Sequence, residues 1–359
     1  MQTQINKLDF KEANVYAGID THKNSWKVSI WVDNIFHKTF VQNPQPEVLH
    51  AYLVKKFPAA TYHSAYEASY CGFWIHDRFI QLGMKSIVVN PADVPTTDKD
   101  RKQKEDKRDS RKLAMSLKNG ELKGIYIPSR KGQEDRTLVR FRSTLVRDLT
   151  RLKNRVKSLL YFYGIDIPEK HLSGSKSWSK RFLEWLKAVE LTEISGKTSL
   201  TLMIEQGEQT RKRVYQATIA VRKLSQTETY KEPIELLKSV PGLGPLSSMI
   251  FLTEIEDINR FSNQDHLSSY IGLVPMTDSS GDKDKVGNIT QRKNATLRNI
   301  IVECSWVAIR HDPALLKSYQ QLCKRMKPNR AIIRIAKKLL NRIRHVLITK
   351  KKYELYTTQ

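Results

Sequence analysis

Val15-Tyr-Ala-Gly-Ile-Asp20, followed by Thr21-His22-Lys23, governs the reading of the first third of the chain. A short apolar run containing β-branched and aromatic residues is the pattern of a buried strand. This one ends on a carboxylate, a costly place for a charge unless a cation answers it. Working outward, Trp26–Val32 and Phe36–Val41 alternate in the manner of strands, and Asp33-Asn34 between them is a turn signal. Together the three segments predict an antiparallel meander. Pro46–Lys56 reads as a helix with proline at its first position, where the missing N–H costs least. Ala60–Tyr66 predicts the next strand and runs into Glu67, a second acid at a strand end. Helix Phe73–Leu82, strand Lys85–Asn90 and a charged helix from about Arg101 to Lys118 complete the set. Strands with helices between them in this order predict an α/β or α+β domain with a mixed sheet over residues 14–128.

Asp106 and Asp109 stand three apart on the last of these helices, so both project from one face. With Asp20 and Glu67 they make four carboxylates from two strand ends and one helix. Such a set is the donor chemistry of an oxygen-ligand site for Mg²⁺ or Mn²⁺, the ions that activate nucleophiles in phosphoryl transfer. Each acid alone has a plainer reading, as a turn residue or a solvated charge.

Residues 129–230 read as a helical, charged linker region. Leu145, Leu152 and Leu159 recur every seven residues beside Leu149, Val156 and Tyr163, the a/d seam of a coiled coil. A second helical stretch, from about Leu200 to Leu224, predicts a partner that pairs within the chain or across a dimer. Ser173–Lys180 between them reads as an exposed loop. Residues 231–350 predict a mostly helical third region, ending in a helix over Ala331–Ile348 with one apolar and one Lys/Arg face. Within it, Pro241-Gly-Leu-Gly-Pro245 has the form of a helix-hairpin-helix turn, whose Gly242 and Gly244 let backbone N–H groups approach a phosphate. Ser279-Ser280-Gly281 lies on a predicted polar loop, with Lys283, Arg292, Lys293 and Arg298 nearby to meet phosphate charge.

Charge narrows the partner. Lys and Arg total 62 against 37 Asp and Glu, a net +25 over 359 residues, which favours nucleic acid over a neutral ligand. No long apolar span suggests a membrane segment, and Met1–Glu12 lacks the apolar core of a signal peptide. The three scattered cysteines suit a reducing cytoplasm rather than a disulfide frame or zinc site.

As a set, these motifs resemble the DEDD transposases of the IS one-ten insertion-sequence family, which includes Piv-type DNA invertases. The resemblance is carried by Gly18-Ile-Asp20-Thr-His-Lys23, Tyr66-Glu67-Ala-Ser, Val89-Asn-Pro91 and Lys104-Glu-Asp106-Lys-Arg-Asp109-Ser-Arg-Lys-Leu-Ala114. Further on it is carried by Pro241-Gly-Leu-Gly-Pro245, Arg260-Phe261, Tyr270-Ile-Gly-Leu-Val-Pro275, Ser280-Gly281 and Leu297-Arg298. It implies a RuvC-like, RNase H-type N-terminal domain with a DEDD metal site, a coiled-coil middle and a C-terminal transposase domain. It also implies a serine nucleophile, matched to Ser280 with Ser279 as the alternative. Multimers with a composite active site, in which the carboxylates of one subunit meet the serine of another, are implied as well. So are donor and target DNA, a bridge RNA pairing with both, and residence in the cytoplasm of a bacterium or archaeon, at the nucleoid. Ser110 stands where the family usually has alanine, Glu105 where threonine is common, and Asp282-Lys-Asp-Lys285 is more acidic than usual. Two other functions fit parts of the pattern: a metal-dependent junction-resolving nuclease, and a non-catalytic nucleic-acid scaffold.

Overall fold

The computed structural model describes residues 10–95, 106–171, 178–280 and 283–355; for 106–108, 277–280 and 283–286 it describes the backbone alone. The chain forms two compact units, Met1–Ile127 and Pro128–Gln359.

In the first unit the meander is β1 (Asn14–Thr21), β2 (Trp26–Val32) and β3 (Ile35–Gln42), and α1 (Pro46–Lys56) follows. Then come β4 (Thr61–Glu67), α2 (Trp74–Gln81), β5 (Lys85–Val89) and α3 (Asp106–Lys118). The expected helix from Arg101 is described only from Asp106 onward. The sheet order is β3-β2-β1-β4-β5. β1 is antiparallel to β2, and β2 to β3, while β1 and β4, and β4 and β5, are parallel. This mixed sheet bears out the α/β reading and is consistent with an RNase H-type domain.

Alternation along β1 sorts its side chains between two faces. Val15, Ala17 and Ile19 are buried in one core with Val28, Ile30, Leu49, Leu53, Ile75 and Phe79, beneath α1 and α2. Gly18 faces the other way, toward α3. A Cβ at Gly18 would collide with the backbone of Ser110 and Ala114, so the missing side chain lets the helix lie directly on the strand. Ser110 is buried and its Oγ lies 2.9 Å from Ser29 Oγ, itself 2.7 Å from Thr39 Oγ1. That hydroxyl chain joins α3 to β2 and β3. It gives Ser110 a partner of its own.

The second unit holds α4 (Arg130–Phe162), α5 (Lys180–Ala188), α6 (Ile194–Leu224), α7 (Glu228–Lys238), α8 (Pro245–Ile255) and α9 (Gln264–Ile271). A two-stranded ribbon follows, β6 (Pro275–Ser280) and β7 (Lys283–Ile289), and then α10 (Ala295–His311), α11 (Pro313–Cys323) and α12 (Pro328–Thr349). The long helices α4 and α6 pack antiparallel within the chain, with Arg142 Nε donating to Thr218 Oγ1 at 2.9 Å and Leu152 against Gly207. The expected seam needs a correction at its end. Leu145, Leu152 and Val156 are buried, but Leu160 rather than Leu159 is the next fully buried residue, and Tyr163 is exposed at the C-cap, beyond the helix end at Phe162. A straight helix turns every 3.6 residues rather than 3.5, so a strict heptad drifts around it and the buried row shifts by one. Val139 of α4 and Val221 of α6 share one apolar core with α7 to α10 and α12, so the second and third stretches of sequence fall in a single unit. A second correction concerns Ser279 and Ser280, expected on a polar loop: their backbones lie in β6, paired with Asp284 and Lys283. The loop Ser173–Lys180 lies mostly outside the described residues. No described helix is long and apolar enough to cross a membrane.

Gly18→Ala is expected to destabilise the first unit by about 3 kcal/mol, the upper end of overpacking costs. Urea denaturation followed by the near-ultraviolet signal of its tryptophans reads this; an unchanged midpoint would mean that α3 does not rest on β1.

Candidate active site

The pairing of Ile19 with Tyr66 in the parallel β1–β4 ladder brings Asp20 and Glu67 to one level, each a single residue further on. Both are half-buried, at the carboxyl ends of adjacent central strands. In open sheets of this kind, that edge is where ligands bind. The alternation that turns Gly18 toward α3 turns Asp20 the same way, and the matched register does so for Glu67. At the far end of α3, Lys118 Nζ donates to Asn34 Oδ1 at 3.2 Å, in the turn after β2. The helix therefore runs antiparallel to β1, and its first turn, with the backbones of Asp106 and Asp109, lies toward the Asp20 end of the strand. Asp109 is half-buried; the side chain of Asp106 lies outside the described residues.

Carboxylate oxygens from two strand ends and a helix fit a hard cation such as Mg²⁺ or Mn²⁺ in donor chemistry. Among the described residues no group of three or more His, Cys, Asp or Glu side chains is gathered tightly enough to hold a metal. His22 Nε2 lies 3.2 Å from Asp20 Oδ2, a contact that orients the carboxylate from the solvent side.

In the second unit, the Pro241–Pro245 turn joins α7 to α8. Gly242 has φ +90°, and a Cβ there would collide with the carbonyl of Cys304 on α10, so packing alone demands this glycine. Gly244 is different. Its missing Cβ would meet open space, and its N–H donates to Ser247 Oγ at 2.8 Å at the start of α8.

The base of the β6–β7 ribbon is held on both sides. Thr290 N donates to the Val274 carbonyl at 3.0 Å and Asn294 N to the Tyr270 carbonyl at 3.2 Å. The Arg298 guanidinium donates to the Thr290 carbonyl beside Gly272, which has φ +84° and whose missing Cβ would collide with Arg298, Lys293 and the Arg292 carbonyl. Arg298 is only 9% exposed, and burial pushes its pKa down. The sequence expectation made Arg298 a phosphate contact; its place is under the ribbon. Arg292 and Lys293 are exposed on the segment leading out of it. The side chains of Ser279, Ser280 and Lys283 lie outside the described residues.

One acid escaped the sequence reading. Glu254 is 1% exposed on α8 and receives Arg140 Nε at 2.6 Å, Arg140 Nη2 at 2.8 Å and Asn294 Nδ2 at 3.0 Å. Burial works to raise its pKa, but the hydrogen bonds from Arg140 and Asn294, with the nearby guanidinium charges, outweigh it and hold the carboxyl below its ordinary value. Asn294 also caps α10, accepting from Leu297 N at 3.1 Å. The node thus joins α4, α8 and the exit of the serine ribbon. Its signal was a single carboxylate inside the apolar run Ile250-Phe-Leu-Thr-Glu-Ile255.

Arg140→Met should cost the second unit about 3 kcal/mol, because it strands a buried carboxylate. Chemical denaturation checks this, and Arg140→Met with Glu254→Gln should cost less than the sum of the two. The pH dependence follows from the sign of the shift. With its folded pKa below the ordinary 4.5, Glu254 contributes stability that is complete above pH 4.5 and lost as pH falls through the folded value. Denaturation at a series of acid pH values should show this component in the parent protein and not in Glu254→Gln.

Comparison with known proteins agrees with both halves of this description. Residues 17–165 match the DEDD transposase profile of the IS110 group, and residues 234–320 match the profile described as the transposase IS116/IS110/IS902 family. A putative transposase of Sinorhizobium fredii, y4qE, is 28% identical over 70% of this chain and 60% of its own length. A second from that organism, y4rJ, is 28% identical over 76% of this chain and 74% of its own. The transposase for insertion sequence element IS1111A of Coxiella burnetii is 26% identical over 72% of this chain and 70% of its own. The first profile takes in the strand ends and the acid-bearing helix and the second takes in the glycine turn and the ribbon; the chain belongs to the IS110 family of DEDD transposases.

Proposed function

We propose that this protein cuts and rejoins donor and target DNA, guided by a bridge RNA, through a covalent phosphoserine intermediate. The observation that carries the reading is the level placement of Asp20 and Glu67 on adjacent strands, with the acid-bearing turn of α3 toward the same edge. In this reading Asp20, Glu67, Asp106 and Asp109 hold Mg²⁺ or Mn²⁺. Such an ion, when bound, supplies Lewis-acid stabilisation of charge on the phosphoryl oxygens.

Ser280 Oγ then attacks the phosphorus of a DNA strand. A bond forms between Oγ and phosphorus, the bond from phosphorus to one sugar oxygen breaks, and that oxygen leaves as a hydroxyl. The serine proton passes to a base, and the departing sugar oxygen takes up one proton in exchange. Rejoining reverses the roles: a sugar hydroxyl from the other duplex attacks and expels the serine. The phosphodiester energy is kept in the protein–DNA bond, whereas hydrolysis would discard it. Ser279, its neighbour on β6, is the alternative nucleophile. Arg292 and Lys293, with Lys283 on β7 and the backbone at Gly242 and Gly244, are assigned to phosphate contacts, while Arg298 supports the ribbon from below. A net charge of +25 suits a protein that holds an RNA and two duplexes. It would act as a homomultimer in the cytoplasm, on nucleoid DNA.

A donor and target plasmid pair, supplied with RNA transcribed from the sequence flanking the gene, tests this reading. Asp20→Ala and Ser280→Ala should each reduce recombination to below about one thousandth of the parent's. A protein–DNA adduct that survives denaturing electrophoresis should form only when Ser280 is present. Cleavage without adduct in Ser280→Ala would instead make the protein a water-using nuclease, and full activity in Asp20→Ala would leave the acids a structural role.

A further inference from the structure

Two large aromatic side chains stand in solvent at the acid edge of the first unit. Tyr70 is 71% exposed and Trp74 47%, and neither is used by the chemistry proposed above. Both converge on one point of the sheet. The Tyr70 hydroxyl donates to the carbonyl of Thr21 at 3.5 Å, and the Trp74 ring lies 6.3 Å from that of Trp26. Thr21 and Trp26 are cross-strand partners, the last pair of the β1–β2 hairpin and one step beyond Asp20. Because side chains alternate, Thr21 and Trp26 face α2 while Asp20 faces α3. The two rings and the acids therefore share one strand-end edge, on opposite faces of the sheet.

The loop that carries Tyr70 is pinned from within. The buried Tyr66 hydroxyl donates to the Gly72 carbonyl at 3.1 Å and accepts His76 N at 3.2 Å, and Cys71 Sγ lies 3.5 Å from Thr21 Oγ1. An aromatic ring held in place costs little entropy when a partner stacks on it. One exposed cation, Lys23, lies on the adjoining β1–β2 turn. Fixed aromatic faces beside positive charge are the chemistry of a stacking platform for unpaired bases.

We infer that Tyr70 and Trp74 receive an unpaired nucleobase of the DNA strand being cut. This rests on the proposed reading, in which the divalent ion that the acids would hold meets the phosphate at the cut. With that phosphate at Asp20 and Glu67, an adjacent nucleotide passes over the strand end and its base, turned out of the duplex, reaches the far face where the rings stand. Such a platform lowers the cost of unpairing at the cut site and reads no hydrogen-bonding edge, so it accepts any base but demands a locally open duplex.

The test uses the full-length protein, without divalent ions, and DNA carrying a single 2-aminopurine in a single strand or in a closed duplex. Salt is raised enough to suppress binding through phosphates alone. The parent protein should quench 2-aminopurine in the single strand and leave the closed duplex unchanged. Tyr70→Ala and Trp74→Ala should each weaken single-strand affinity by about tenfold and remove most of the quench. Tyr70→Phe and Trp74→Phe, which keep a ring, should restore both. Parental quench and affinity in the two alanine variants, with parental unfolding midpoints, would overturn the inference, as would quenching of 2-aminopurine in an RNA strand but not in DNA. Because no chemistry is needed, a parental quench in Asp20→Asn together with undiminished recombination by that variant would sink the reading of the acids as the cutting site and leave the platform standing.

Discussion

Gly18 has no side chain, and the backbone of α3 occupies the space one would fill. Much of the first unit follows from that contact. A helix resting directly on a strand cannot slide or rotate without clashing at this point, so its register against β1 is set. The register decides which end of α3 approaches which end of the strand. The buried hydroxyl chain through Ser110, Ser29 and Thr39 supports the same register with directional bonds. Buried hydroxyls are costly when unpaired, so a slip that broke the chain would be penalised twice, by lost packing and by lost hydrogen bonds. The strand ends that carry Asp20 and Glu67 and the first turn of α3 lie toward one edge because of this fit.

The second unit solves a comparable problem with charge. The serine-bearing ribbon is a pair of strands outside any larger sheet, and a lone ribbon is marginally stable. Its stability comes from its base, where Arg298, Gly272, Asn294 and Glu254 tie the flanking segments to α8, α9 and α10. Glu254 is the centre of that tie. A carboxylate this deeply buried is tolerable only because Arg140 and Asn294 satisfy its oxygens together. Since Arg140 belongs to α4, the base of the ribbon and the long helical hairpin are held by one polar node.

Glycines and cations that look alike in the sequence serve separate purposes in the fold. Gly242 is required by the approach of α10, whereas Gly244 meets open space, with its N–H held by Ser247 Oγ at the start of α8. Arg298 is buried as a strut, while Arg292 and Lys293, a few residues earlier, remain at the surface. The large excess of positive charge therefore does not count phosphate contacts. Part of it is structural.

Local pattern was enough for the elements of the first unit. α1 spans Pro46–Lys56 as the proline and the periodicity predict, and each strand begins and ends within a residue or two of its apolar run. The acids at the ends of β1 and β4, the glycine turn and the family resemblance were all legible from neighbouring residues, because strand alternation, turn chemistry and short motifs are written within a few positions of one another. Long-range contacts were not. The pairing of Glu254 with Arg140 and Asn294, the drift that buries Leu160 in place of Leu159, the ribbon that holds Ser280 and the burial of Arg298 all depend on which surfaces meet. The sequence by itself determined which residues could carry charge, turn the chain or line a strand. The tertiary structure decided which of them face one another, since segments far apart in the chain are brought together only when apolar faces are buried and every charge taken inside has found its partner.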